Sequence, residues 1–555
     1  MQSTMMRHPL VLPRALARAE TLYAGRQIVS RYADRSLHRY GYGEMAGRAR
    51  RLADALRKAG LKPGERVGTL MWNHHIHLEA YFGIPGAGGV MHTLNLRLHP
   101  DELAFIATHA EDRILIVDDV LLPLARRFLD RSRIKKVIVA RISDEAAPGD
   151  FESYEDFIAA GDPAEPLIEP EDEFTACSIC YTSGTTGRPK GVAYSHRALM
   201  LHAMCLGMKD GWDLGQNDTT LPIVPMFHVN AWNFPYAATL VGAKQVLPGP
   251  YLDAESLLDL MAGEAVTITG AVPTIWFAVA DALRAEPGRW TLPPGIRVIA
   301  GGASPPPALV RGLDALGMVP IHGWGMTETT AGATMAHPKP EMADWPREQV
   351  LDLFAERHLP MPLVEIRVVG DEGEAPWDGA AMGELQIRAP WVAARYHDAP
   401  GTEDRWTENE AGGRTGDSWF RTGDVANIDP AGFVKISDRT ADLVKSGGEW
   451  ISSQDLENAI MGHPAVKEAA VIALPHPKWG ERPLACVVLR ESAVAGTPDT
   501  VREMVKDLAA HLAAEFPKWW LPDAYEFIAE VPKTSTGKFQ KSALRERFSG
   551  RSWPG

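Results

Sequence analysis

Alternating helical and extended patterns in the first 150 residues limit the possible folds more than any other feature of the sequence. Apolar residues recur at helical spacing over 44–59, and Gly60 provides a C-terminal stop. Buried strands are predicted at 67–72, 114–117 and 137–140, with a helical segment between the last two. Short strands that alternate with helices favour an α/β fold, in which a mostly parallel sheet is covered by helices.

The pattern changes from residue 438 onward. A Gly-Gly loop at Gly447 and Gly448 precedes a series of predicted elements: helices at 456–461 and 501–515, and strands at 469–473, 484–489 and 525–528. These elements fit a small α+β domain of about 115 residues. The whole chain has 555 residues, which leaves room for three or four folding units at about 150 residues each.

Charge and cysteine content exclude several classes of protein. The sequence has 57 Lys and Arg against 71 Asp and Glu, a net charge of −14, which disfavours sequence-independent binding of nucleic acid or anionic membrane. Four cysteines are too few for a disulfide scaffold, and the N-terminus lacks the apolar core of a secretory signal, so a cytoplasmic location is expected. Cys177 and Cys180 are interpreted as plain strand residues. The most apolar run, 270–283, is broken by Pro273 and Asp281, so no integral membrane segment is expected.

The segment 181–191, with the sequence YTSGTTGRPKG, has the composition of a phosphate-binding loop. It follows an apolar run at 177–180 and precedes a helical pattern that begins near Ser195. Glycine lets backbone N–H groups converge on an oxyanion, hydroxyl groups add donors and lysine adds charge. The candidate ligands are Thr182, Ser183, Gly184, Thr185, Thr186, Gly187 and Lys190. The spacing is not that of a Walker A loop, and a polar loop without a ligand stays an alternative.

Five ordered blocks extend this observation over nearly the whole chain: YTSGTTGRPKG, VPMFHVNAW, GWGMTET, RTGD with SDRTADLVKSGGEWIS, and KTSTGK. In order and spacing they resemble the adenylate-forming (ANL) superfamily of acyl-CoA synthetases, in particular its bacterial medium- and long-chain fatty acid–CoA ligase branch. The resemblance implies a large N-terminal domain of mostly parallel sheets with a distorted β-barrel subdomain. It also implies a small, mobile α+β C-terminal domain. The corresponding boundaries are 1–437, a hinge at 438–442, and 443–555.

The family forms acyl-AMP and pyrophosphate from a carboxylic acid and ATP, and then transfers the acyl group to the thiol of CoA. The resemblance therefore implies ATP, magnesium (Mg2+) and CoA as cofactor and co-substrates, a small carboxylic acid as partner and a homodimer. In-line displacement at phosphorus depends mainly on positioning and charge stabilisation, so loop amides, lysines and a metal are suitable groups. By resemblance, Thr185 and Glu328 bind the metal, and the catalytic residues are Lys538, His228 and Glu328. Lys533 and Lys541 are interpreted as ordinary surface residues.

The resemblance also assigns nucleotide contacts. Trp324 occupies the place of a tyrosine that stacks on adenine, and Thr327 matches a contact to the α-phosphate. Asp424 and Arg439 match the ribose contacts; a carboxylate accepts from both hydroxyls of a vicinal diol. Further positions that resemble the nucleotide site are Gly302, Ala303, His322, Gly323, Lys445 and Trp450. Asp417, which closes a second RTGD quartet, is interpreted as a loop residue. Ala441 lies at the expected hinge, where the family usually has Lys or Asp.

The acid site is assigned to the VPMFHVNAW block. By resemblance, His228 lies beside the acyl carboxylate, and Trp232 matches a gate that closes a fatty acyl tunnel. Residues 272–277 and 301–304 are expected to supply further wall. The predicted function is ATP-dependent activation of a medium- to long-chain fatty acid. The alternatives are a CoA ligase for a short, methylthio- or aryl-alkanoic acid, a peptide-synthetase adenylation unit, and a non-catalytic acyl or nucleotide binder.

Overall fold

A computed structural model describes residues 1, 3–143, 149–182, 188–408, 418–440, 442–447, 449–490, 498–533, 539–551 and 553. Its helices are α1 Leu12–Tyr23, α2 Tyr42–Lys58, α3 His75–Gly86, α4 Pro100–His109, α5 Leu122–Arg126, α6 Tyr154–Ala159, α7 His196–Leu206, α8 Val229–Trp232, α9 Phe234–Val241, α10 Ala254–Gly263, α11 Pro273–Ala285, α12 Pro307–Ala315, α13 Arg347–Glu356, α14 Ser453–Gly462, α15 Pro498–Ala513 and α16 Lys541–Phe548. Within these residues, no helix combines the length and apolarity that a membrane crossing requires.

The strands of the N-terminal part are β1 Gln27–Arg31, β2 Leu37–Gly41, β3 Arg66–Leu70, β4 Val90–Thr93, β5 Asp112–Asp118, β6 Lys136–Ala140, β7 Glu152–Ser153, β8 Ala176–Tyr181, β9 Gly191–Ser195, β10 Thr219–Pro222, β11 Lys244–Leu247, β12 Ile268–Ala271, β13 Arg297–Ala300, β14 Val319–Trp324, β15 Thr334–Met335, β16 Arg357–Pro360, β17 Glu365–Gly370, β18 Gly373–Glu374, β19 Gly383–Arg388, β20 Phe420–Ile428 and β21 Val434–Arg439. Those that follow are β22 Val444–Ser446, β23 Glu449–Ile451, β24 Val466–His476, β25 Gly480–Leu489 and β26 Ala524–Phe527.

The first large sheet confirms the parallel arrangement predicted from the N-terminal pattern. Its strand order is β7-β6-β5-β3-β4-β8-β9, with parallel pairing as far as β8. The predicted helix at 44–59 is α2, which buries Leu52, Ala53 and Leu56, and the stop at Gly60 has a φ of 84°. That left-handed value favours glycine, which pays no Cβ penalty there.

The predicted phosphate loop connects an antiparallel hairpin. β8 and β9 pair Tyr181 with Gly191 and Cys180 with Val192, so the strands that flank the loop are neighbours in one sheet. Sequence reasoning missed β9, a five-residue strand between the loop and α7. It placed the start of α7 correctly, since the Ser195 hydroxyl accepts a hydrogen bond from the Ala198 amide at 3.1 Å. Cys177 and Cys180 are buried strand residues, as predicted.

The second large sheet has two differently built halves. Its parallel half runs β14-β13-β12-β10-β11-β1, with β2 antiparallel at the edge. Antiparallel pairing begins at β15 and continues through β16, β21, β20, β19 and β17 to β18. The carboxyl ends of the parallel strands therefore lie next to the first strands of the antiparallel half.

The predicted C-terminal α+β elements are all present. The sheet has the order β23-β22-β25-β24, and β26 pairs with β25 in parallel. The two predicted helices are α14 and α15, and the three predicted strands are β24, β25 and β26. The hairpin of β22 and β23 was expected only as a loop, and it turns at Gly447, where φ is 62°.

Candidate active site

A crevice lies at the carboxyl ends of β12, β13 and β14, the edge at which open α/β sheets commonly bind ligands. It consists of two adjoining cavities of about 300 and 230 Å³, the first and second cavity below. Gly302, Gly323, Trp324 and Arg439 line both of them. The two cavities therefore share a wall, of which Trp324 is the largest residue.

Trp324 is hydrogen-bonded to the predicted ribose carboxylate. Its indole Nε1 donates to Asp424 Oδ2 at 2.9 Å, and Arg439 Nε lies 3.6 Å from Asp424 Oδ1. Asp424 and Arg439 are direct partners in the register of β20 and β21. Asp424 is buried and lines the second cavity. An aromatic ring, a carboxylate and a guanidinium group thus lie together in one corner of the crevice.

Four further residues expected at the nucleotide site line the second cavity. His322 is buried near the end of β14 and packs edge-on against His358, with ring centroids 4.3 Å apart. Burial lowers the pKa of His322 to about 4, so its ring is neutral near pH 7. A Cβ at Gly323 would lie 2.6 Å from Met335 Sδ, so a larger residue there would require the Met335 side chain to move. Gly302 and Ala303 also line this cavity.

A second group of predicted polar residues converges on the first cavity. Glu328 is buried in the 3₁₀ turn Thr327–Thr329 after β14, and its Oε1 accepts a hydrogen bond from the Tyr396 hydroxyl. Burial, followed by the charge of Glu328, raises the pKa of that hydroxyl and keeps it protonated. Lys190 Nζ lies 5.2 Å from the Tyr396 ring centroid. Thr182 and Thr327 line the same cavity.

The segment that carries His228 and Trp232 has an unusual backbone. His228 is extended, and residues 229–233 all have positive φ, from 47° to 69°, so α8 is a left-handed turn and not a right-handed α-helix. Left-handed backbone costs roughly 1–2 kcal/mol for each residue with an ordinary side chain. His228 and Trp232 both line the first cavity. Sequence reasoning did not predict the strained turn that carries Trp232.

Several predicted residues are not brought into the crevice. Lys445 Nζ lies 4.5 Å from the Trp450 ring centroid; both side chains are exposed on the hairpin of β22 and β23, and neither residue lines the first or the second cavity. The remaining predicted positions lie outside the described residues: Ser183, Gly184, Thr185, Thr186, Gly187, Asp417, Ala441 and Lys538.

The interpretation of Lys541 as an ordinary surface lysine was wrong. Its side chain is only 10% exposed, and Nζ lies 2.6 Å from Ser453 Oγ and 2.8 Å from Glu457 Oε1. Asp438 at the end of β21 accepts hydrogen bonds from the Ser453 amide, at 2.9 Å, and from its hydroxyl. The Val471 amide donates to Glu457 at 2.7 Å. No local pattern marks Lys541, because its partners lie on β21 and α14, far away in sequence. Lys533 pairs with Glu468 near the surface, as expected of an ordinary lysine.

The pKa values of this buried network reflect both burial and charge. Burial raises the pKa of Glu457 to about 7, despite the neighbouring ammonium group of Lys541. Burial alone would lower the pKa of Lys541, but the charges of Asp438 and Glu457 outweigh it and raise that pKa. Lys541 therefore keeps its charge, and Glu457 titrates near neutral pH.

Comparison with known proteins identifies relatives along nearly the whole chain. The long-chain-fatty-acid–CoA ligase of Thermus thermophilus is 49% identical over 547 residues, which cover 98% of this chain and 97% of that protein. The 3-methylmercaptopropionyl-CoA ligase of Ruegeria pomeroyi is 40% identical over 558 residues, 99% of each chain. The crystal structure of an anthranilate CoA ligase in complex with anthranoyl-AMP has the same fold, with a TM-score of 0.83 at 24% identity, over 98% of this chain and 99% of that one.

Two family matches agree with these relatives. Residues 18–397 match the family described as AMP-binding enzyme, and these residues include β1 to β19 and Trp324. Residues 455–538 match the family described as AMP-binding enzyme C-terminal domain, which begins within α14. The predicted α/β architecture and the resemblance read from the five sequence blocks are confirmed by these matches. The chain belongs to the AMP-binding enzyme family of adenylate-forming ligases.

Proposed function

We propose that this protein is an ATP-dependent acyl-CoA synthetase for medium- to long-chain fatty acids. It would form acyl-AMP and pyrophosphate from the acid and ATP, and then the CoA thioester and AMP. The observation that carries the proposal is the crevice, in which the predicted nucleotide residues around Trp324 adjoin the indole rings of Trp212 and Trp232. The relative that is 49% identical, a long-chain-fatty-acid–CoA ligase, favours the same class of acid.

The second cavity suits a nucleoside. The indole of Trp324 offers an aromatic face for adenine, and Asp424 accepts hydrogen bonds from both ribose hydroxyls in this proposal. Arg439, beside Asp424, contributes positive charge near the sugar and phosphates. His322, Gly302, Ala303 and Gly323 complete the pocket wall.

The first cavity suits phosphates and a metal ion. Mg²⁺ prefers hard oxygen ligands and usually combines one or two carboxylates with waters and substrate phosphates. The Glu328 carboxylate, buried and lining the cavity, fits that requirement; Thr185 is proposed as a further ligand. When bound, the ion would neutralise charge on the reacting phosphates. Lys190 adds a positive charge from the chain itself, and the other loop residues, Ser183 to Gly187, are proposed phosphate donors.

Acyl transfer needs a better leaving group than oxide, and AMP provides one. In this proposal His228 positions the acyl carboxylate beside the α-phosphate, and Thr327 contacts that phosphate; both residues line the first cavity. Lys538 neutralises the negative charge that develops between carboxylate and phosphate, since lysine is a mobile point charge. The proposed small domain, residues 443–555, carries Lys538 and turns about the hinge at 438–442. Lys445 and Trp450 approach the adenylate only after such a movement.

A panel of acids tests the proposed substrate. CoA-dependent AMP release should be measured with saturated fatty acids of increasing length, 3-methylthiopropionate and phenylacetate, each with ATP and Mg²⁺. We expect the highest kcat/KM for a medium- or long-chain acid. The proposal fails if a short or aryl acid is preferred at every concentration, or if no acid supports AMP release.

A ligase for a short, methylthio- or aryl-alkanoic acid is the second candidate. Indole rings of Trp212 and Trp232 line the first cavity, whose volume of about 300 Å³ also has to accommodate phosphates. A relative that is 40% identical is named for 3-methylmercaptopropionate. Because one buried CH₂ contributes about 0.8 kcal/mol, small changes in this wall can shift the preferred length by several carbons.

Two further properties belong to the same proposal. We expect a homodimer, as in the resembling fatty acid branch, and analytical ultracentrifugation would test this. We also expect a reducing, cytoplasmic location. Its support is that all four cysteines are free and buried, as is usual where disulfides do not form.

A further inference from the structure

The backbone that carries Trp232 adopts a conformation that its sequence does not favour. Residues 229–233 have φ values of 47°, 50°, 51°, 53° and 69° in succession, and none of them is glycine. Asparagine tolerates this region, but β-branched and bulky residues such as Val229 and Trp232 rarely enter it. Such a conformation persists only where the surrounding structure enforces it. We call residues 229–233 the left-handed turn.

Two buried asparagines hold the left-handed turn on either side of Trp232. Asn230 Oδ1 accepts a hydrogen bond from Ser178 Oγ on β8 at 3.1 Å. Asn233 Nδ2 donates to the Leu199 carbonyl on α7 at 3.0 Å and lies 3.0 Å from His202 Nδ1. The two amides thus fix the turn to a strand of one sheet and to the helix that follows it.

The held turn places the Trp232 ring against two glycines. A Cβ at Gly301 would lie 3.0 Å from Trp232 Cη2, so the ring occupies the space that a side chain there would fill. At Gly270 a Cβ would lie 2.8 Å from Phe234 Cε2 and 3.4 Å from Trp232 Cε3, so Phe234 fills most of that space and the Trp232 ring is in van der Waals contact. Trp232 and Gly301 both line the first cavity, so moving the ring off the glycines would lengthen that cavity.

We infer that the left-handed turn is a strained support that fixes Trp232, and that Asn230 and Asn233 are positioning residues for the choice of acid length. When either amide is removed, the backbone can leave the left-handed region and lower its conformational energy. The Trp232 ring then moves away from Gly270 and Gly301, and kcat/KM for longer acids rises relative to that for shorter acids. The inference rests on the proposed binding of the acid in the first cavity.

The test compares kcat/KM for dodecanoate and hexanoate in Asn230→Ala and Asn233→Ala. We expect the dodecanoate-to-hexanoate ratio to rise about tenfold, equivalent to roughly two more buried CH₂ groups, with no change in the KM for ATP. In a Trp232→Ala background, the same substitutions should not change the ratio further. Equal losses for both acids, or a shift that adds to that of Trp232→Ala, would overturn the inference.

Two variants keep the test independent of folding. Asn233→Gly retains the left-handed tendency but removes the amide hydrogen bonds, so the same rise in ratio is expected, and an unchanged ratio would contradict the role of the amide. Asn427→Ala removes a buried amide on β20 that lies outside both cavities, and its ratio should equal that of the wild type. Absence of AMP release by the wild type with every acid would instead overturn both this inference and the proposed function.

Discussion

Replacing Lys541 by methionine should destabilise the C-terminal part of the chain in a pH-dependent manner. The substitution keeps an apolar side chain of similar length and removes the ammonium group that contacts Ser453 and Glu457. Breaking a buried ion pair costs about 3–5 kcal/mol, because one charge is left without its partner. Asp438 retains hydrogen bonds from Ser453 and from the Arg439 amide. Most of the loss in stability therefore comes from Glu457, whose charge is left without a partner.

The pH dependence follows from proton binding by Glu457. Its pKa in the folded protein is about 7, above its ordinary value of 4.5, so the folded state binds the proton more tightly and stability falls as the pH rises through this range. Between pH 6 and pH 8 the fall is about 1.4 kcal/mol for a folded pKa of 7. Loss of Lys541 raises that pKa further, and the fall then approaches about 2.7 kcal/mol.

Amide hydrogen exchange of peptides from α14, corrected for the intrinsic rate at each pH, measures the opening free energy. The deficit of Lys541→Met relative to the wild type should be larger by about 1 kcal/mol at pH 8 than at pH 6. Adding Glu457→Gln should restore most of the loss at pH 8, because the uncompensated charge is then absent. A deficit that is independent of pH, or one that Glu457→Gln does not relieve, would refute the reasoning.

The remaining predictions concern the crevice. Lys538→Ala should nearly abolish pyrophosphate exchange while preformed acyl-AMP still reacts with CoA; equal loss in both half-reactions would contradict its assignment. Trp324→Phe keeps an aromatic ring but removes the donor to Asp424. The kcat/KM preference for ATP over 2′-deoxy-ATP should therefore fall about tenfold, as expected for a hydrogen bond to a charged group. An unchanged preference would exclude a role of the Trp324 hydrogen bond in ribose recognition. Gly325→Ala should reduce both thermal stability and the affinity for ATP, because its Cβ would overlap the Ala331 carbonyl oxygen; wild-type melting and binding would show that the backbone can move.

Short-range patterns predicted the elements of this fold, and long-range contacts explain what they missed. The periodicity at 44–59 was sufficient for α2, and the apolar runs were sufficient for β5 and β6. The strand β9 has too few apolar residues to be recognised without its partner β8. The elements of the small domain were also evident, although the hairpin at Gly447 was not.

For the candidate site too, sequence motifs identified the residues but not the contacts between them. Motif order placed Trp324, Glu328, Asp424 and Arg439, and the structure brings all four to one crevice. Motif order could not show that Trp324 donates to Asp424, or that Tyr396 donates to Glu328, because these partners are distant in sequence. The environment of Lys541 was misjudged for the same reason.

The shared wall between the two cavities limits how this protein can be altered. Trp324 faces both cavities, whereas Trp232 lines only the first. Under the proposed function, a substitution at Trp324 therefore changes nucleotide recognition together with any effect on the acid. Under the same proposal, variation at Trp232 alters acid preference alone. Selection for a new acid, in the laboratory or during evolution, should accumulate changes around Trp232, Gly270 and Gly301 and leave Trp324 in place.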